Sequence, residues 1–300
     1  MSHIPENNHS HNEKTSTKKL GVVSAINLIG FIVELIGGVV FGSIALISDA
    51  FHMLFDSLAY ITAFGSAYLA ENRDGGKEWS FGLHRLETLT AFFNGALLIP
   101  MAGYIIWESY QRFLQPIQID PVPTFAIGFG GLLVNIGSVY YLQGGEMSLN
   151  EKGAFYHLLG DAGGSIAVII STLIIYFTGF QAADPITAVL ISGVIVWSAG
   201  KVLKGSTGIL LQKNPLNSSK IKEEILELDE VEGVRELRIW NLCSQITVAS
   251  LHVCHNLTEL EEVNQTRAEI RKILSENGAD HITIEMEDTG EEICKHRIEH

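Results

Sequence analysis

Two pairs of residues carry the chemistry in this sequence: His52 with Asp56, and His157 with Asp161. Residues four apart on a helix share one face, one turn apart, so each pair can aim an imidazole nitrogen and a carboxylate oxygen at the same point. Both pairs lie inside long apolar stretches. Ionisable side chains at bilayer depth are costly and are seldom found there without a partner or a function. Two neutral imidazoles and two carboxylates make an N2O2 set that suits tetrahedral Zn2+, whereas Mg2+ and Mn2+ favour more oxygen ligands. One pair alone reads as a hydrogen-bonded contact between packed helices. The same spacing on two separate stretches points to metal ligation.

Other residues in those stretches suggest how the ligands are approached. Gly160 and Gly164 bracket Asp161 in a small-xxx-small pattern, with Gly163 as a further point of close contact, and such helices pack tightly. Glu34, Asp49, Glu108 and Asn135 either line a cation path or bond across helices, and Asp49 is assigned to the path.

The elements that must hold these residues follow from composition. Of 300 residues, 47% are hydrophobic and 18% charged, with the charges unevenly spread, as in a membrane protein. Six apolar stretches, each near the roughly 20 residues that a spanning helix needs, are expected at Leu20 to Phe41, Ile44 to Ala70, Leu86 to Tyr110, Val122 to Leu142, Ala154 to Phe180 and Pro185 to Leu203. Lys14, Lys18 and Lys19, then Arg73, Lys77 and Arg85, then Lys152, then Lys201 and Lys204 fall on one side, with little beyond Arg112 on the other. The positive-inside rule makes that side, and both termini, cytoplasmic. Residues 1–19 form a flexible polar tail with no signal-peptide core, so the first helix is expected to stay in the mature protein.

Residues 205–300 read as a soluble domain. From Ser206 onward, 10 Lys and Arg stand against 19 Asp and Glu, or -9 of the total -14. That charge repels nucleic acid and attracts cations. Ser218 to Leu228 and Leu257 to Glu276 are predicted amphipathic helices, Val234 to Leu242 and Gln245 to His255 a hairpin, and Ile282, Ile284 and Met286 a third strand. The order is that of a small α+β (ferredoxin-like, αββαβ) sandwich. All three cysteines lie here, and an odd count that cannot pair completely suggests a reducing, cytosolic setting.

The sequence resembles the cation diffusion facilitator family, zinc-transporting type. The likeness rests on Ser48-Asp49-Ala50-Phe51-His52 ending at Asp56, Phe81-Gly82 with Arg85 and Glu87, the His157 to Asp161 segment, and Asp184-Pro185 opening the sixth span. The resemblance implies a homodimer that exchanges cytosolic Zn2+ for protons by alternating access, with His52, Asp56, His157 and Asp161 as the transport site. It also implies that histidine at the first position favours zinc over cadmium. Some family members hold further metal. Here Trp79 and Leu83 stand where loop histidines would be, and His84 is out of register. In the cytosolic domain His252 matches a ligand position, Arg235 replaces a histidine, and Glu285 and Glu287 replace a His/Asp pair. His252, Glu285 and Glu287 are therefore a second candidate set, for a regulatory Zn2+. The alternative is a solvated polar face.

Histidines bind metal when neutral, so loading releases protons and protonation expels the metal. The expected function is Zn2+ export against protons from a bacterial inner membrane, since the loop from Gln143 to Glu151 is short and lacks histidine. Two rivals are an intramembrane zinc-dependent hydrolase and a membrane-anchored metal sensor. Four protein ligands leave a hydrolase no open position, the chain has no His-Glu-x-x-His, and an anchor needs no matched ligands at depth.

Overall fold

The computed structural model describes residues 9–72, 79–142 and 149–289, with side chains left out for 9–20, 59–60, 62–64, 66–72, 142 and 149–160. The chain divides into two compact units, Met1–Asn72 with Thr90–Lys204, and Arg73–Leu89 with Gly205–His300.

Six long helices run through the first unit: α1 (His9–Phe41), α2 (Ile44–Asn72), α3 (Arg85–Leu114), α4 (Pro121–Leu142), α5 (Leu149–Thr178) and α6 (Ala183–Leu210). Five of them contain stretches long and apolar enough to cross a membrane, α2 being the exception among the described residues. α1 begins well inside the segment expected to be a flexible tail. Residues 9–19 contain no Gly or Pro, and extending an existing helix needs no new nucleus. Large apolar side chains such as Ile29, Val39, Trp107, Phe177 and Leu190 are exposed on the outside of the unit. So much apolar surface is tolerated only when lipid covers it. Inside, Ile44 and Leu46 of α2 pack with Ala102 and Ile105 of α3, Val168 of α5, and Ala188, Ile191 and Ile195 of α6.

The start of α2 is fastened from three sides. Gly42 turns the chain at φ 80°, a conformation that costs glycine little. Ser43 then caps the helix by accepting from Leu46 N at 3.1 Å. Asp184 of α6 accepts from Ile44 N at 2.7 Å, Ala45 N at 3.3 Å and Ser43 Oγ at 2.5 Å, and Arg112 of α3 donates to Gly42 O. The orphan N–H groups of a buried helix end thus find an acceptor on a neighbouring helix.

The second unit contains α7 (Ser218–Leu226), β1 (Val231–Asn241), β2 (Thr247–His255), α8 (Leu260–Glu276) and β3 (His281–Asp288). Asn217 caps α7 by accepting from Lys220 N at 3.2 Å. The sheet order is β1-β2-β3, antiparallel between β1 and β2 and parallel between β2 and β3. A parallel return needs a crossover, and α8 supplies it. Ile221, Ile225, Val234, Leu251, Val253, Ile270 and Leu274 form a core between helices and sheet. The reduced state expected of the cysteines holds for Cys243, which is free and buried, and not for Cys254, which is disulfide-bonded. An odd count excludes complete pairing only. Cys294 lies outside the described residues.

Candidate metal centre

Three of the four expected ligands come together in the first unit. His52 and Asp56 occupy successive turns of α2, and Asp161 faces them from α5. His52 Nδ1 lies 3.5 Å from Asp56 Oδ2 and its Nε2 lies 3.2 Å from Asp161 Oδ1. One imidazole therefore bridges a carboxylate of its own helix and one of a neighbour. Asp161 is only 2% exposed in its side chain and Asp56 9%. Ligand atoms from all three lie within 4.8 Å of one another, close enough for one ion. His157 lies one turn before Asp161 on α5, and its side chain is outside the described residues.

Close approach of α2 and α5 depends on Gly164, because a Cβ built there would stand 2.7 Å from Asp49 Oδ1. Gly163, expected to add a contact, instead faces open space on an exposed surface, since it lies one residue around the helix from Gly164. Asp49 is buried one turn before His52 and accepts from Ser165 Oγ at 2.9 Å. Ser165 in turn accepts from Asn135 Nδ2 at 3.2 Å. Asp49 is thus tied into the helix interior. Glu34 is buried on α1, whereas Glu108 pairs with Arg112 at 3.0 Å.

The second candidate set lies on the sheet. Arg235, His252 and Glu285 are register neighbours on β1, β2 and β3. His252 Nδ1 is 2.6 Å from Glu287 Oε1 and 3.6 Å from Glu285 Oε2, and ligand atoms of these three also fall within 4.8 Å. Arg235 stands 3.4 Å from Glu287 Oε2. The arginine that replaces a histidine therefore brings its own positive charge to the carboxylate a metal would need. The set offers one nitrogen and two carboxylates, which fits a divalent cation once Glu287 is released from Arg235. Glu287 is itself buried, whereas Glu285 is exposed and His252 partly so, the half-exposed face that the alternative reading describes. Trp79 is exposed and His84 partly buried. The histidines at 3, 296 and 300, and the side chains of His9 and His11, lie outside the described residues.

The role of Asp184 was not legible in sequence. An Asp-Pro at the opening of a helix reads as a local start signal, but the side chain serves α2, some 140 residues away in the chain.

Helices with apolar outer surfaces that bury a cluster of potential metal ligands define an integral membrane protein with the chemistry to hold a cation. The comparisons give that class a family. A model of the cation efflux transmembrane domain matches residues 20–211, and a model of the cation efflux protein cytoplasmic domain matches residues 214–289. The chain belongs to the cation efflux family, in its zinc-type branch, and is a transporter rather than an enzyme. It is 34% identical over 287 residues to the cadmium, cobalt and zinc/H(+)-K(+) antiporter of Bacillus subtilis (strain 168), covering 93% of this chain and 91% of the relative. It is 36% identical over 257 residues to the zinc transporter ZitB of Escherichia coli (strain K12), covering 84% and 79%. The metal cation efflux system protein CzcD of Cupriavidus metallidurans is 34% identical over 284 residues, covering 93% and 89%.

Proposed function

We propose that the chain exports Zn2+ from the cytosol in exchange for protons, through a site made by His52, Asp56, His157 and Asp161. The observation that carries this reading is the bridge of half-buried His52 between buried Asp56 of α2 and buried Asp161 of α5. Ligands on two helices can be brought together or parted by a small shift of one helix against the other. The site then opens to one side of the membrane at a time. Protonated imidazole gives up its metal, so a more acidic outer side favours release there and proton return. The name of the Bacillus subtilis relative, a cadmium, cobalt and zinc/H(+)-K(+) antiporter, supports an exchange and sets potassium beside the proton. The hydrolase alternative falls with the family assignment. A sensor reading has no use for ligands this deeply buried.

In this reading α2 crosses the membrane with the other five helices, and the transport domain covers residues 20–204. The segment at 205–300 is a ferredoxin-like cytosolic domain that pairs two copies of the chain. Both termini face the cytosol of a bacterium, and the membrane is its inner one. His252, Glu285 and Glu287 form a weak regulatory Zn2+ site, held back by Arg235.

The deciding experiment is Zn2+ uptake by purified protein in sealed vesicles with an opposing proton gradient. Asp56→Ala and Asp161→Ala should each reduce uptake to background while the unfolding midpoint stays near that of the parent. Normal uptake by either variant removes that residue from the site.

A further inference from the structure

We propose that Glu34, Asp49 and Asn135 form a second cation site beside the His52 set, one that takes a monovalent cation through oxygen atoms alone. Its function rests on the exchange reading above, since it supplies a place for the counter-ion; its ability to bind does not.

Glu34 lies on α1, 1% exposed, with its carboxylate turned toward Gly131 of α4 and Ser165 of α5. A Cβ added at Gly131 would collide with Glu34 Oε1 and stand 3.7 Å from Ser165 Oγ. The glycine is thus what admits the carboxylate to the pocket already occupied by the Asn135–Ser165–Asp49 chain.

Counting donors and acceptors shows what that pocket takes. The one hydroxyl hydrogen of Ser165 is committed to Asp49 Oδ2, and its oxygen accepts from Asn135 Nδ2. Both oxygens of Glu34, Oδ1 of Asp49 and Oδ1 of Asn135 are buried and receive no hydrogen bond from the described residues. Apart from the second N–H of Asn135 Nδ2, every uncommitted group of the cluster is an acceptor, and two of the three side chains are carboxyl groups. Buried acceptors left unsatisfied are costly, and a buried carboxylate more so. A neutral donor would satisfy one oxygen; a cation satisfies several and cancels charge.

The donor set narrows the cation further. It offers no nitrogen and no sulfur, so it has little to hold Zn2+ or its softer relatives. A singly charged ion has a smaller desolvation cost, because that cost grows with the square of the charge. The site suits a proton or an alkali ion.

Its position explains how such an ion would exchange with zinc. Asp49 precedes His52 by three residues on α2, and residues three apart lie on the same helix face. The titratable groups that face Asp49 are Glu34 of α1, His52 and Asp56 of α2, and Asp161 of α5, while α4 presents neutral Gly131 and Asn135. A cation held by Glu34 and Asp49 repels a divalent ion at His52, so filling one site empties the other.

The test uses the full chain purified in detergent and in proteoliposomes. Unfolding midpoints are compared in potassium chloride and N-methylglucamine chloride at equal ionic strength, each in mildly acidic and mildly alkaline buffer. The parent protein should gain several degrees from potassium if the occupant is an alkali ion, or from the acidic buffer alone if it is a proton. Glu34→Gln, which keeps the shape and loses the charge, should lose that gain while still binding Zn2+, with an affinity that no longer falls as the same cation is added. Asn135→Ala should weaken the gain, and it serves in place of Glu34→Gln if that variant does not fold. In proteoliposomes Glu34→Gln should weaken the response of zinc uptake to an opposing gradient of the same cation. Asp56→Ala should lose zinc binding and keep the stabilisation. An equal gain in parent and Glu34→Gln, no gain in the parent, or loss of the gain in Asp56→Ala would each overturn the second site. Uptake by the parent that ignores both gradients would instead sink the exchange reading, with the midpoints still deciding the site.

Discussion

In the proposed site, His52 is the residue on which both binding and selectivity turn. It touches Asp56 and Asp161 at once, so the imidazole defines where the metal sits as well as supplying a nitrogen. Replacing it with aspartate leaves one nitrogen and three carboxylates in the proposed set, a harder and more negative one. His52→Asp should therefore admit Cd2+ or Mn2+ alongside Zn2+. Competition among these ions for vesicle uptake checks this, and an unchanged order of preference would move selectivity away from this side chain. Its spacing to Asp56 was readable from the chain alone. The arrival of Asp161 at its other nitrogen was not, because that contact depends on Gly164 letting α5 approach α2.

At the scale of elements, α2 is the helix that must hold its position, and its first turn is fastened by residues of α3 and α6. Asp184 is the central fastening, with three hydrogen bonds to residues 43–45. Asp184→Asn puts an amide N–H2 against donors and removes the charge from the bonds that remain. A charge-assisted hydrogen bond of this kind contributes about 2 kcal/mol. The variant should lower the unfolding midpoint and slow zinc uptake by shifting His52, two turns along the same helix. A normal midpoint together with normal uptake would make the fastening redundant. The six helices themselves were visible as apolar stretches, and their observed ends differ from expectation by a few residues in most cases. The larger differences, at the start of α1 and the end of α6, come where a helix already nucleated continues through polar residues past the point at which hydropathy alone would end it.

For the whole molecule, the main division is between a unit whose apolar residues face outward and one whose apolar residues face inward. The second has a core of its own in α7, α8 and the sheet, so residues 205–300 are expected to fold without the helices. Roughly 95 residues bury a modest core for a monomer, and pairing buries more. Two copies together carry about -18, twice the -9 counted from Ser206, which opposes pairing until salt or bound cations screen it. Sedimentation of the isolated segment should show dimers that strengthen with salt and strengthen further with Zn2+ than with Mg2+ at equal ionic strength. Equal responses to the two metals would leave screening alone and remove His252, Glu285 and Glu287 as a site. A monomer under every condition would put the dimer contact in the membrane.

By itself the sequence determined the class of protein and the spacing of the proposed ligands, because both are local in the chain. Hydropathy over about 20 residues marks a spanning helix, and a four-residue interval places His52 and Asp56 on one face. The αββαβ order was legible for the same reason, since Ile282, Ile284 and Met286 alternate within a few residues. What only tertiary structure decided is whatever joins distant segments. Asp184 caps a helix other than its own, Arg235 meets Glu287 across the sheet, and Gly131 admits Glu34 to Asn135 and Ser165. No interval in the chain encodes these contacts. They arise when helices pack closely enough that a missing Cβ or a buried charge must be answered by a residue from another helix or strand.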